Sequence, residues 1–190
     1  MIAVRLGAML AALAGPLAAQ DFSAGSEAAP WNLYAEVPAR FAATVVDPLC
    51  LLTGDCPADC GGGARQLALL RTADDVLVYP VKNTQPVFTG AANELRPYCG
   101  KAVEVDGLML VDADIGLNNI YQLQLIREEG AAEWVKANQW TRDWQAANPD
   151  VPGNEPWFRR DSRVNADIAA NGYFGLGLAI DGPAVRALFE

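Results

Sequence analysis

The stretch FTGAANELRPYCGKAVEVDGLMLVD, residues 88–112, decides the fold because it sets a short helix directly before a strand. Residues 88–101 read as the helix, with Thr89 placed to cap it and Gly100 just past its end. Residues 102–112 alternate apolar and polar side chains until Gly107 breaks the pattern, which predicts a strand covered on one face. Upstream, RQLALLRT (65–72) and VLVYPVK (76–82) predict two strands, with Ala73-Asp74-Asp75 as the hairpin turn between them. Before them, FAATVVDPLCLL (41–52) is β-branched and apolar, a strand that Pro48 bends or ends. Downstream, IYQLQLIREEG (120–130) puts Tyr121, Leu123 and Leu125 on one face and Gln122 and Gln124 on the other. Ile120 and Ile126 fall on the glutamine face, so that side is expected to be partly covered too.

The order is strand, strand, strand, helix, strand, strand. Five strands with a helix between the third and fourth is the layout of the OB-fold, a small Greek-key barrel. The expected class is mainly β: an OB-fold-like five-stranded barrel over residues 38–130, with an α-helical extension over 131–190 packed on it. The run VVDPLC, a cysteine-bearing loop, a leucine-rich strand and a helix ending in CGKAVEVDGL resembles secreted bacterial OB-fold proteins over residues 40–128. Asp47, Cys50, Cys56, Cys60 and the Cys99-Gly100-Lys101 turn carry the resemblance. It implies a fold and a compartment rather than an activity.

The first residues point to the same compartment. MIAVRLGAMLAALAGPLAAQ carries Arg5, then an apolar run from Leu6 to Ala14, then small residues around Ala18 and Ala19. That is the layout of a secretory signal over residues 1–19, and its apolar run is too short to span a bilayer. Residues 20–37 are small and polar and read as a flexible lead-in. No later segment approaches the ~20 apolar residues of a transmembrane helix, so no membrane span is expected. The Ala/Gly-rich acidic composition is of a bacterial kind, which would make the compartment the periplasm. The net charge of −9 repels phosphate backbones and anionic membranes, which argues against nucleic-acid binding and suits a basic protein partner. The chain has no histidine. Ser-His-Asp and Cys-His catalysis are thereby excluded, as are c-type haem attachment and His-ligated metal sites.

Cys50, Cys56, Cys60 and Cys99 are the four cysteines, with gaps of five, three and thirty-eight residues between them. A four-thiolate zinc site wants two close pairs, and only one gap here is near that range. Cys56-Pro-Ala-Asp-Cys60 is one residue longer than C-x-x-C, and Asp59 raises a neighbouring thiol's pKa rather than lowering it. In an exported chain these cysteines are expected to form two structural disulfides, of pairing left open. A metal or cofactor site and an exchangeable pair are the alternatives. Gly61, Gly62 and Gly63 follow without the Lys-Ser/Thr of a phosphate loop, so they read as slack for a cross-linked turn. Asp112 and Asp114, with Glu128 and Glu129, read as solvated strand ends and not as an acid–base pair or a calcium loop. No metal and no cofactor is expected.

The last third reads as three helices. The first spans 131–150, with Trp134 one and a half turns ahead of Trp140 and Trp144. After a linker at 151–156, a second lies within 157–177, capped near Asp161 or Ser162 and stopped by Gly172. The third starts with Asp181 ahead of Pro183. Trp134, Trp140, Trp144, Trp157 and Phe158 are either the lock between extension and barrel or, with Arg159, Arg160 and Arg163, a docking surface for a protein. The function these features favour is an exported, non-catalytic binding or accessory subunit of a periplasmic redox or transport complex. The alternative is a thiol-redox or metal-handling protein using the four cysteines. No catalytic residue and no small-molecule ligand is specified by the sequence.

Overall fold

A computed structural model describes residues 21–32, 34–82 and 91–189. The expected leader (1–19) and the Thr89 cap lie outside them. Among the described residues the strands are β1 (Glu36–Val46), β2 (Ala68–Arg71), β3 (Leu77–Val81), β4 (Ala102–Asp112), β5 (Leu117–Glu128) and β6 (Val135–Lys136). β1 pairs antiparallel with β2 and with β4, β2 with β3, and β4 with β5. The parallel register of Tyr79, Pro80 and Val81 against Ile120, Tyr121 and Gln122 joins β3 to β5 and closes a five-stranded barrel. The helix between β3 and β4 is α2 (Ala92–Leu95), extended by a 3₁₀ turn to Tyr98, with Gly100 left-handed at φ 71° beyond it. The structure is thus mainly β, an OB-fold-like barrel with a helical extension.

Alternation fills the barrel: Val103 and Val105 of β4 and Tyr121 and Leu123 of β5 are fully buried with Val45, Leu69, Val78 and Leu95. Each such aliphatic side chain contributes about 1.5–3 kcal/mol by leaving water. Gly107 does not end its strand. Asp106 pairs with Leu125 and Gly107 with Leu123, so Gln124 is the extra residue of a bulge. The bulge flips the phase of β5, which brings Ile126 into the core and turns Leu125 toward an outer cleft. The alternation read across 120–130 assumed a continuous strand and therefore misplaced both residues.

Other expectations are corrected. The first strand begins at Glu36 and stops at Val46, and residues 48–52 are not strand. Pro48 opens α1 (Pro48–Thr53), whose N-cap is Asp47. Proline is well suited to the first helical turn, where its missing N–H would have no partner anyway. The lead-in is not loose. Phe22 packs edge-on against Phe41 at 5.8 Å, and the Arg71 guanidinium lies 4.2 Å over the Phe22 ring. Ser26 Oγ and the Glu27 N–H donate to Asp106, which is 2% exposed and would otherwise be an unpaired buried acid.

The helix expected over 131–150 is shorter. It follows β6 and runs only from Gln139 to Ala147 as α3, so Trp134 is not on it. α4 (Trp157–Arg160) and α5 (Ser162–Asn171) share the Asp161 junction, and Gly172 ends α5 as expected. α6 (Leu178–Phe189) starts ahead of Asp181 and carries Pro183 inside it. Among the described residues, no helix is long and apolar enough to cross a membrane.

Candidate functional site

Cys50 is bonded to Cys56 and Cys60 to Cys99, so none of the four thiols is free. Cys50 sits in α1 and not at the end of a strand, and Cys56 is exposed on the loop after it. Cys60 is buried in the barrel core, and its bond to Cys99 ties the loop to the residue just before β4. Asp59 and Cys60 both hold positive φ, ahead of three positive-φ glycines, so the strained turn is fixed by the covalent bond it contains. Asp47 organises this end of the barrel. It accepts from the Leu49 and Cys50 N–H groups and from Arg65 at 2.8 Å, and Arg65 also reaches Asp55 at 2.6 Å. Burial alone would raise the Asp47 carboxyl, but Arg65 and the two backbone donors outweigh it and hold it below the ordinary value. Among the described residues, no three Cys, Asp or Glu side chains converge as a metal site.

The aromatic and arginine residues of the extension divide into separate groups. Trp134 is not with the other tryptophans; its ring lies beneath Arg127 at 4.3 Å and Arg40 at 5.1 Å. Trp140 and Trp144 flank Trp157 at 5.9 and 6.1 Å, and Phe158 meets Trp157 at 6.0 Å. Trp144 and Trp157 are buried in this small cluster, which is separate from the barrel core. Glu94 of α2 anchors it to the barrel by accepting from the Gln139 and Trp140 N–H groups that open α3. Arg160 lies 5.0 Å over the Trp144 ring and donates to the Glu155 and Val151 carbonyls, so it is an internal clamp. Arg163 pairs with Asp161 yet is 83% exposed, and Arg159 is exposed too. Of the eight residues expected on a docking surface, these two arginines are the ones left open to it. Asp112 is a local cap for the Asp114 N–H and takes the Tyr34 hydroxyl, and Glu128 pairs with Lys101.

Two surfaces were missed by the sequence reading. The first is the hairpin of α5 and α6. α5 buries none of its side chains, and Tyr173, Phe174, Leu176, Leu178, Ile180 and Leu188 are all exposed. Leu176 at 63% and Leu188 at 67% are far more open than a folded core requires. The apolar run YFGLGLAI (173–180) was the available signal.

The second surface is a cleft of about 410 Å³ between the lead-in, β5 and β6, lined by Glu27, Trp31, Lys82, Gln124, Lys136 and Asn138. Gln124 fixes one wall: its side chain both accepts from the Ala29 N–H and donates to the Ala29 carbonyl. Lys82 donates to the Leu123 carbonyl at 2.9 Å and lies 4.9 Å over the Trp31 ring. Burial lowers the Lys82 ammonium to about 8, against the opposing pull of Glu94. These residues come from segments far apart in the chain, so no spacing announces them.

No family model, curated protein or solved structure matches this chain.

Proposed function

We propose that this chain is an exported, non-catalytic binding or accessory protein of the periplasm that holds a protein partner on the α5–α6 hairpin. The observation that carries the reading is the set of exposed apolar side chains, Tyr173, Phe174 and Leu176 in the α5–α6 connection and Leu178, Ile180 and Leu188 on α6, beside a helix α5 that buries none of its side chains. Contiguous apolar patches of a few hundred Å² on a folded chain mark interaction sites. A net charge of −9 works against a second copy of the same chain and against an anionic membrane. A protein with an apolar groove and a basic rim is the complementary occupant. Arg163, exposed on α5, would sit at the edge of that contact.

The test is a photo-crosslinking residue at Leu176 in the exported chain, together with the double variant Leu176→Asp/Leu178→Asp. One stoichiometric protein adduct, absent from the double variant, is expected, while melting stays unchanged. A homodimer adduct or flotation with anionic vesicles in place of a protein adduct would overturn the reading. The Cys50–Cys56 bond, whose Cys56 end is exposed, supports the thiol-redox alternative. Rapid exchange of that bond with a dithiol protein, without loss of fold, would favour it.

A further inference from the structure

We propose that the cleft between the lead-in, β5 and β6 binds a small planar carboxylate, with its ring against Trp31 and its carboxylate on Lys82 and Lys136. The inference is independent of the hairpin. The chain carries 14 Lys and Arg against 23 Asp and Glu. Arg40, Arg65, Arg71, Lys101, Arg127 and Arg163 stand in ion pairs. Among the described basic residues that stand in none, Lys82 and Lys136 are the two that line this cleft. Two ammonium groups lining one cleft, neither held in an ion pair, are complementary to an anion.

The shape and the remaining walls narrow the ligand. Among the described residues Lys82 donates one hydrogen bond, to the Leu123 carbonyl, and an ammonium has three donors, which leaves capacity for a carboxylate. The Trp31 ring beside it offers a flat apolar face, which suits a planar ligand. A cleft of about 410 Å³ lies in the range of small-molecule sites. The Glu27 carboxylate on the lead-in side disfavours a multiply charged anion such as a phosphate and tolerates a single carboxylate.

The test is an amide NMR titration of the folded chain with benzoate, with benzamide as the uncharged isostere. Benzoate is expected to shift Gln124, Leu125 and Lys136–Asn138, and benzamide to bind at least tenfold more weakly. Lys82→Met should weaken benzoate about tenfold or more. Among the described residues, Glu94 pulls on the Lys82 charge and Glu27 and Lys136 line the same cleft, so the pH response is read against that variant. A group titrating near 8 loses about nine-tenths of its charge between pH 7 and 9. Benzoate affinity should therefore fall about tenfold over that interval in the parent chain and not in Lys82→Met. If Lys82→Met does not fold, the exposed Lys136→Gln decides, with an expected loss of threefold or more. Equal binding of benzoate and benzamide overturns the proposal. So does the absence of any shift at these amides, or a benzoate response unaltered by the lysine variants.

Discussion

The Trp144 indole N–H donates to Asp161 Oδ2 at 2.7 Å, and Oδ1 of the same carboxylate caps α5 through the Arg163 N–H. One buried acid therefore joins α3 to α5 across the aromatic cluster. Hydrogen bonds from Arg163 and Trp144 hold the Asp161 carboxyl well below the usual carboxylate range. An unfolded aspartate titrates near 3.9, so the stabilisation is complete above about pH 5 and is lost as pH falls below about 4 toward the folded-state value. Asp161→Ala removes both the cap and the indole acceptor, and should cost the extension about 2 kcal/mol or more. Asp161→Asn keeps a capping oxygen and should cost less, but lose the acid sensitivity. Hydrogen exchange of α3 and α5 amides between pH 3 and 6 checks both. Unchanged exchange in Asp161→Ala would refute the coupling.

A second prediction concerns Gly107 and the buried Tyr121. A Cβ at residue 107 would collide with the Gln122 carbonyl oxygen and come within 2.9 Å of Tyr121 Cζ. The obstacle is mainly backbone and cannot rotate away. The Tyr121 ring is held in turn by its hydroxyl, which donates to the Ala39 carbonyl at 2.8 Å, and by Phe41 at 5.0 Å. Gly107→Ala should cost about 3 kcal/mol or more, at the upper end of overpacking penalties. Gly100 has a left-handed φ of 71° and open space around its missing Cβ, so Gly100→Ala should cost only about 1 kcal/mol. Urea midpoints of the two variants measure the contrast, and a smaller loss at Gly107 would contradict it.

The barrel was legible because its signals are local: alternation within β4 and β5, the turn at Ala73–Asp75 and the Gly100 stop each need only a few neighbours. The bulge at Gln124 was not, since an extra residue shows only against its partner strand. Asp47-Pro48 did carry a helix-start signal, but the β-branched run before it pulled the reading toward a longer strand. The lead-in has few apolar residues, and what orders it is hydrogen bonding to Asp106, some eighty residues away in sequence. For the same reason the cleft could not be read in advance. Export predicted that the cysteines pair, while which cysteine meets which depended on the barrel bringing Cys99 beside the loop.

The two disulfides should differ in both access and effect. Cys50–Cys56 closes a separation of six residues beside an exposed loop, whereas Cys60–Cys99 closes thirty-nine and lies against the core. In the chain-entropy description these correspond to about 2 and about 4 kcal/mol of stabilisation. Mild reductant should open Cys50–Cys56 first and leave the barrel folded. The double variant Cys60→Ser/Cys99→Ser should lower the urea midpoint more than Cys50→Ser/Cys56→Ser. Mass-resolved alkylation against time gives the order, and simultaneous opening of both bonds would contradict it.

The last prediction separates the three arginines. Arg160 combines a stacking contact on Trp144 with hydrogen bonds to two loop carbonyls, and its stem lies against Gly153. Losing these should cost about 1–2 kcal/mol and show as faster hydrogen exchange in α3 and α4. Arg159 is exposed, so Arg159→Ala should change stability by less than about 0.5 kcal/mol. Arg163→Ala instead removes the side-chain hydrogen bonds to the buried Asp161 carboxylate and should speed hydrogen exchange in α5 without unfolding the barrel. Partner capture at the hairpin should survive Arg159→Ala and weaken in Arg163→Ala, because residue 163 alone of the three lies on α5. The opposite pattern, in which Arg159→Ala abolishes capture while Leu176→Asp/Leu178→Asp retains it, would move the contact from the hairpin to the face beside α4. Calorimetry on the three single variants, with the crosslinking assay alongside, distinguishes a clamp from a contact residue.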